Sequence, residues 1–140
     1  MEHDARLIKV SLEGVLIAQT RRAIRVLETS HPPTYYIPPG DVRMEFLRPS
    51  TGDSFCEWKG QATYYDLDAA SRTIPKVAWT YLEPTENFNS IAGYLSFYPN
   101  KVACYLGAER VQAQAGGFYG GWITKDVVGP FKGEPGSQFW

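Results

Sequence analysis

Hydrophobic and polar residues alternate one by one along most of this chain, which is the period of a half-buried β-strand and not of a helix. Leu7, Lys9 and Ser11 alternate with Ile8, Val10 and Leu12. Glu13-Gly14 is a turn signal, so Val15 to Gln19 reads as the returning strand of a hairpin. Ile24 to Glu28 reads as a third strand. Thr29 to Pro33 then breaks the pattern, because proline removes backbone donors. Tyr35 to Ile37 is a short extended piece stopped by Pro38-Pro39-Gly40. Asp41 stands where it would cap a helical turn over Val42 to Glu45.

The middle of the chain is denser. Phe55 to Trp58 and Gln61 to Leu67 read as strands around Gly60, which marks a bulge or a close backbone approach. Lys76 to Leu82 is another strand, and Asn89 to Ala92 one helical turn. Gly93 to Tyr98 and Lys101 to Leu106 read as a hairpin across Pro99-Asn100. Arg110 to Gln114 fits either strand or helix, and no stretch carries a long amphipathic helix. From Gly116 the composition shifts to glycine and aromatics, with Phe118, Trp122, Phe131 and Trp140 as apolar anchors. The expected organisation is a loosely held N-terminus over 1–6, a β-rich core over 7–115 and an extended arm over 116–140. The arm packs on this core or on a second chain.

Composition narrows the function classes. The chain has 140 residues, enough to bury a core, and a formal net charge of −1. That balance lacks the basic excess that binds nucleic acid or an anionic membrane surface, so neither partner is expected. The longest apolar run, Val15 to Ala18, is too short to span a bilayer. Met1-Glu2-His3-Asp4 is polar and no apolar signal core follows it, so the expected location is cytoplasmic. Two cysteines, Cys56 and Cys104, sit in strand-like apolar runs and read as buried small hydrophobes.

Three blocks of sequence resemble a known family. Leu27 to Val42, with its Ser30-His31-Pro32-Pro33-Thr34-Tyr35-Tyr36-Ile37-Pro38-Pro39-Gly40 centre, resembles the opening motif of the domain-of-unknown-function family 427. Cys56-Glu57-Trp58-Lys59-Gly60-Gln61-Ala62-Thr63-Tyr64 resembles its central motif. Ala78-Trp79-Thr80-Tyr81, Ile91-Ala92-Gly93-Tyr94 and Phe97-Tyr98-Pro99 resemble its third. The family is sometimes labelled nucleotidyltransferase-like. The glycine-aromatic arm resembles an extension of members from photosynthetic bacteria. The resemblance implies a mainly β, β-tent-like (Mss4-like) domain with a groove between sheets. It implies no catalytic residues.

The chemistry these residues can supply is limited. By strand parity, if no bulge intervenes, Cys56, Trp58, Gly60, Ala62 and Tyr64 share one face, and Glu57, Lys59, Gln61, Thr63 and Tyr65 the other. Glu57 and Lys59 are then same-face neighbours that pair at the floor of a groove or on an open surface. As a nucleophile Cys56 would have His31, in a proline-rich loop, as its one credible base, since Lys59 is on the opposite parity and His3 lies near the chain end. The paired Cys-x-x-Cys knuckles that hold structural zinc are absent. Asp66 with Asp68, and Asp41 with Glu45, are the acid pairs that could hold Ca²⁺ or Mg²⁺ loosely, and no other cofactor is expected. No glycine-rich loop with Lys and Ser/Thr cradles a phosphate.

The expected ligand-binding set is therefore Glu57, Trp58, Lys59, Tyr64, Trp79, Tyr81 and Tyr98, with Lys59, Arg25 or Glu28 as polar selector. The leading expectation is a non-enzymatic module for a small molecule or anion. One rival is an enzyme on a phosphorylated or nucleotide substrate, in which Lys59, Glu57 and Asp66 converge with a divalent ion. The other is an assembly protein that docks its arm on another copy.

Overall fold

The computed structural model of the chain describes residues 1–28, 31–56, 59–114 and 120–127, and of 52–56 the backbone alone. Glu57, Trp58, Phe118, Phe131 and Trp140 therefore lie outside the described residues, as does the side chain of Cys56. Thirteen strands are described: β1 (Glu2–Asp4), β2 (Ile8–Leu12), β3 (Val15–Thr20), β4 (Ala23–Val26), β5 (Thr34–Tyr36), β6 (Leu47–Cys56), β7 (Gly60–Ala69), β8 (Arg72–Thr80), β9 (Leu95–Phe97), β10 (Ala103–Leu106), β11 (Glu109–Arg110), β12 (Gln112–Ala113) and β13 (Trp122–Ile123). Three short 3-10 turns, Pro39–Asp41, Met44–Phe46 and Glu86–Ile91, are the helical pieces among the described residues. The domain is mainly β and its sheets are antiparallel, without a closed barrel, as the single-residue alternation predicts. No described helix is long and apolar enough to cross a membrane.

The strands form sheets ordered β1-β4-β5, β11-β10-β2-β3, β6-β7-β8-β9 and β12-β13. Two of these are spliced. Ile37 N–H donates to the Leu95 carbonyl at 2.7 Å, and Leu95 N–H donates to the Ile37 carbonyl at 2.8 Å. The splice sets β5 beside β9, and alternation then sorts side chains to two faces. Tyr35, Ile37, Ala78, Leu95 and Phe97 meet Ile8, Val10 and Leu12 of β2 in the main core. Tyr36, Trp79 and Tyr81 point the other way, into a second cluster with Ile24, Val26, Ala62 and Ile91.

Three expectations change. The N-terminus is not loose: β1 pairs with β4, Arg25 forms an ion pair with Glu2, and the Arg6 guanidinium donates to the Tyr35 hydroxyl at 3.1 Å. Its ties are backbone and ionic, so no apolar alternation marks them in the sequence. Asp41 ends a 3-10 turn instead of capping one, and its carboxylate accepts hydrogen bonds from Thr20 Oγ1 at 2.6 Å and from Arg22. The expected hairpin across Pro99-Asn100 does not form. β9 pairs with β8, whereas β10 pairs with β2 and β11. Lys101 N–H and Val102 N–H both donate to the Tyr98 carbonyl, and this turn carries the chain from one sheet to the other, where Val102, Cys104 and Leu106 bury in the main core.

The described part of the arm, residues 120–127, packs on its own chain. Trp122 is fully buried, stacks tilted on Tyr35 with ring centroids 5.0 Å apart, and donates its indole N–H to the Phe97 carbonyl at 3.0 Å. Its backbone pairs with β12. Trp122 is therefore part of the main core. Replacing Trp122 by Ala removes a buried indole and orphans the Phe97 carbonyl. Chemical denaturation of Trp122→Ala is expected to show a loss of about 3–5 kcal/mol. A loss below about 1 kcal/mol would contradict the seating of this side chain.

Candidate functional site

β8 places Trp79 and Tyr81 two residues apart, hence on one face, and both are about nine-tenths buried. Across the ladder Tyr64 of β7 lies opposite Trp79, and Ser96 of β9 lies opposite Trp79 on its other side. The splice to β5 adds Tyr36. Its ring meets Trp79 edge-on at 6.1 Å and Tyr81 at 6.4 Å, and Tyr98 lies 4.6 Å from Trp79. Such offset and edge contacts suit the ring quadrupoles. Tyr64, Phe88, Tyr94 and Tyr98 stay partly exposed and form the rim.

The polar tips of this cluster converge. Trp79 donates its indole N–H to the Tyr36 hydroxyl at 3.3 Å. Burial raises the Tyr98 hydroxyl's pKa, and the neighbouring Tyr64 hydroxyl, hydrogen-bonded to it, and Tyr36 raise it further. Three phenol hydroxyls and an indole N–H thus share one locale. Beside them the Ser96 hydroxyl is fully buried and has no hydrogen-bond partner among the described residues. Gly120 closes over the far edge of the indole, where a Cβ would stand only 2.2 Å from Trp79 Cη2. Any side chain at 120 would displace that ring.

Five of the seven expected ligand-binding residues, Lys59, Tyr64, Trp79, Tyr81 and Tyr98, come together here; Glu57 and Trp58 lie outside the described residues. The parity argument fails for Lys59. Gly60 adopts φ +111°, which breaks the alternation and turns Lys59 toward the aromatic face. A Cβ on Gly60 would stand 3.1 Å from the Glu83 carbonyl oxygen, and Thr85 N–H donates to the Lys59 carbonyl at 2.9 Å, so the close approach requires glycine. Lys59 is buried, pairs with Glu28, and sits 6.0 Å from the Tyr81 centroid and 5.8 Å from that of Phe88. Of the other expected selectors, Glu28 is that partner of Lys59 and Arg25 pairs with Glu2.

The expected metal-holding acids are separately engaged or apart. Asp66 accepts the Lys76 N–H at 2.9 Å, and Asp68 pairs with Arg48 at 3.4 Å. Asp41 is held by Arg22 and Thr20, and Glu45 is exposed on the next turn. No group of three or more His, Cys, Asp or Glu gathers among the described residues. Lys59 and Asp66 stand seven residues apart along β7, about 23 Å of strand. His31 Nδ1 lies 3.4 Å from Gln114 Nε2. Cys104 is buried and its thiol pKa is pushed well up by desolvation, so it stays protonated. Three clefts with described walls, about 660, 230 and 280 Å³, are lined by none of the aromatic cluster.

Sequence reasoning missed two residues of this face. Tyr36 reads only as part of a short extended piece, and nothing local shows that β5 joins β9. Lys76 lies over the Tyr64 ring at 5.4 Å because of a bulge that periodicity does not reveal.

Residues 1–107 match the family described as a domain of unknown function (DUF427), and the chain belongs to it. No curated protein matches the chain. The matched stretch contains β1 to β10 and the whole described aromatic cluster; β11 to β13 lie beyond it.

Arg22 first, and the Thr20 hydroxyl second, hold the Asp41 carboxyl below its ordinary pKa. A carboxyl depressed on folding contributes stability above its unfolded pKa, and that contribution is lost as pH falls through the folded value. Asp41→Asn is expected to be less stable than wild type at pH 7, with the gap closing in acid. Denaturation midpoints from pH 7 to pH 2 check this, and a constant gap would contradict it.

Proposed function

We propose that this member of the DUF427 family is a small-ligand-binding module whose site is the aromatic face of β7, β8 and β9. The observation that carries this reading is the convergence of three phenol hydroxyls and one indole N–H on a face whose rim, Tyr64 and Tyr98, is partly open. The rings offer flat apolar contact, and the hydroxyls fix polar groups at the rim. The buried Ser96 hydroxyl supplies one more polar group beneath them. This combination suits a small flat molecule that carries hydrogen-bond acceptors.

Lys59 supports the site without selecting the ligand. Its charge is met by Glu28, and its stem and ammonium pack against Tyr81 and Phe88. The nucleotide-enzyme reading needs Lys59 and Asp66 at one cavity. Their separation along β7, and the engagement of Asp66 by a backbone N–H, favour the binding reading.

A thermal-shift panel on the full chain tests the proposal with small aromatic carboxylates and amides, quaternary amines, nucleotides, Ca²⁺ and Mg²⁺. An aromatic acid or amide is expected to raise Tm, and a hundredfold excess over Kd stabilises by about 2.7 kcal/mol. Tyr98→Phe is expected to weaken that ligand about tenfold, the value of roughly one hydrogen bond. Lys59→Met keeps the packing and is expected to leave affinity within about twofold. A rise only with nucleotide and metal together would overturn the proposal, as would equal binding by Tyr98→Phe.

A further inference from the structure

We infer that Lys76 is the charge selector of this aromatic face and that the ligand is a small aromatic carboxylate. The inference rests on the binding reading above and goes further by assigning charge and a residue. Four described non-glycine residues have positive φ: Glu13, Ala70, Ser71 and Lys76. Glu13 lies in the turn between β2 and β3, and Ala70 and Ser71 form the turn between β7 and β8. Lys76, at φ +49°, is the one inside a strand. Residues with a Cβ adopt this conformation at a cost, and such a residue persists only where its surroundings hold it.

The surroundings here do hold it. Tyr65 pairs with Ala78 and Leu67 with Ile74, so the single residue Asp66 opposes Pro75, Lys76 and Val77. The Asp66 carboxylate accepts the Lys76 N–H at 2.9 Å. Lys101 Nζ donates to the Pro75 carbonyl at 2.8 Å, and Tyr98 N–H donates to the Val77 carbonyl at 2.9 Å. Both flanks of the bulge are therefore pinned. The bulge re-aims one side chain. It sends the Lys76 ammonium over the ring of Tyr64, 5.4 Å from its centroid, at the open rim beside Tyr98.

Lys59 and Lys76 both lie against rings of this face, and they differ in one respect. Lys59 is neutralised by Glu28. Lys76 has no carboxylate partner among the described residues, and its neighbour Asp66 spends an oxygen on the Lys76 backbone. The rim thus presents one uncompensated cation next to the Tyr64 and Tyr98 hydroxyls. A carboxylate pairs with this cation, and a flat apolar body lies on the rings. A quaternary amine would meet like charge at Lys76.

The test uses the full chain, Lys76→Gly, and the pair benzoate and benzamide, which share a ring and differ in charge. Glycine takes positive φ freely, so Lys76→Gly is expected to raise the ligand-free Tm by about 2–4 °C. Wild type is expected to bind benzoate at least fivefold more tightly than benzamide by ligand-detected NMR, and Lys76→Gly to lose that preference. Equal binding of the two probes by wild type would overturn the charge assignment and leave the binding reading standing. So would a preference for benzoate that survives in Lys76→Gly. Binding of neither probe at millimolar concentration would overturn both. A fall in the Tm of Lys76→Gly would overturn the strain argument.

Discussion

Two hydrogen bonds between Ile37 and Leu95 set the architecture. They join the β1-β4-β5 sheet to the β6-β7-β8-β9 sheet across a single residue pair. Pro38 follows Ile37 and ends the extended run, so the contact cannot lengthen into a ladder. One residue pair is enough, because side chains on either side of it alternate in step. Ile37 and Leu95 face the main core, while Tyr36 faces the second cluster with Trp79 and Tyr81. Without this splice the aromatic face would lack Tyr36, and with it the acceptor for the Trp79 indole.

The segment beyond the family-matched stretch belongs to the same construction. Trp122 fills the space between Tyr35 and the Phe97 carbonyl on the core side of the splice. Two residues earlier, Gly120 lies against the Trp79 ring on the other cluster. A short run of chain therefore touches both clusters, and the glycine there is a steric requirement. The core and the aromatic face are coupled through these contacts, so a substitution at 120 or 122 reaches the face without lying in it.

Much of this was legible in the sequence, and the exceptions have a common cause. The hairpin of β2 and β3, the breaks at Pro32-Pro33 and Pro38-Pro39, and the strand parity of Trp79 with Tyr81 follow from local periodicity. So does the close approach at Gly60, which only glycine fits. What periodicity cannot supply is which strand meets which. β10 leaves β9 for β2 because Val102, Cys104 and Leu106 find the main core there, and no local pattern encodes that choice. Lys59 reaches the aromatic face only because Gly60 inverts the parity of the preceding chain, and it arrives there with Glu28, not Glu57, as its partner. Lys76 is reached only through the bulge opposite Asp66, a two-strand feature invisible in either strand alone.

The central claim is that the aromatic face of β7, β8 and β9 receives the ligand, and the tryptophan indoles report on it directly. Trp79 and Trp122 both donate an indole N–H inside the protein, Trp79 to Tyr36 on this face and Trp122 to Phe97 in the main core. In a ¹⁵N–¹H NMR titration of the full chain with benzoate, with Trp79→Phe to assign the signal, the Trp79 indole cross-peak is predicted to move in a saturable way. The Trp122 cross-peak is predicted to stay in place. A Trp79 signal that stays fixed while benzoate binds, or a Trp122 signal that moves as far, would contradict the account.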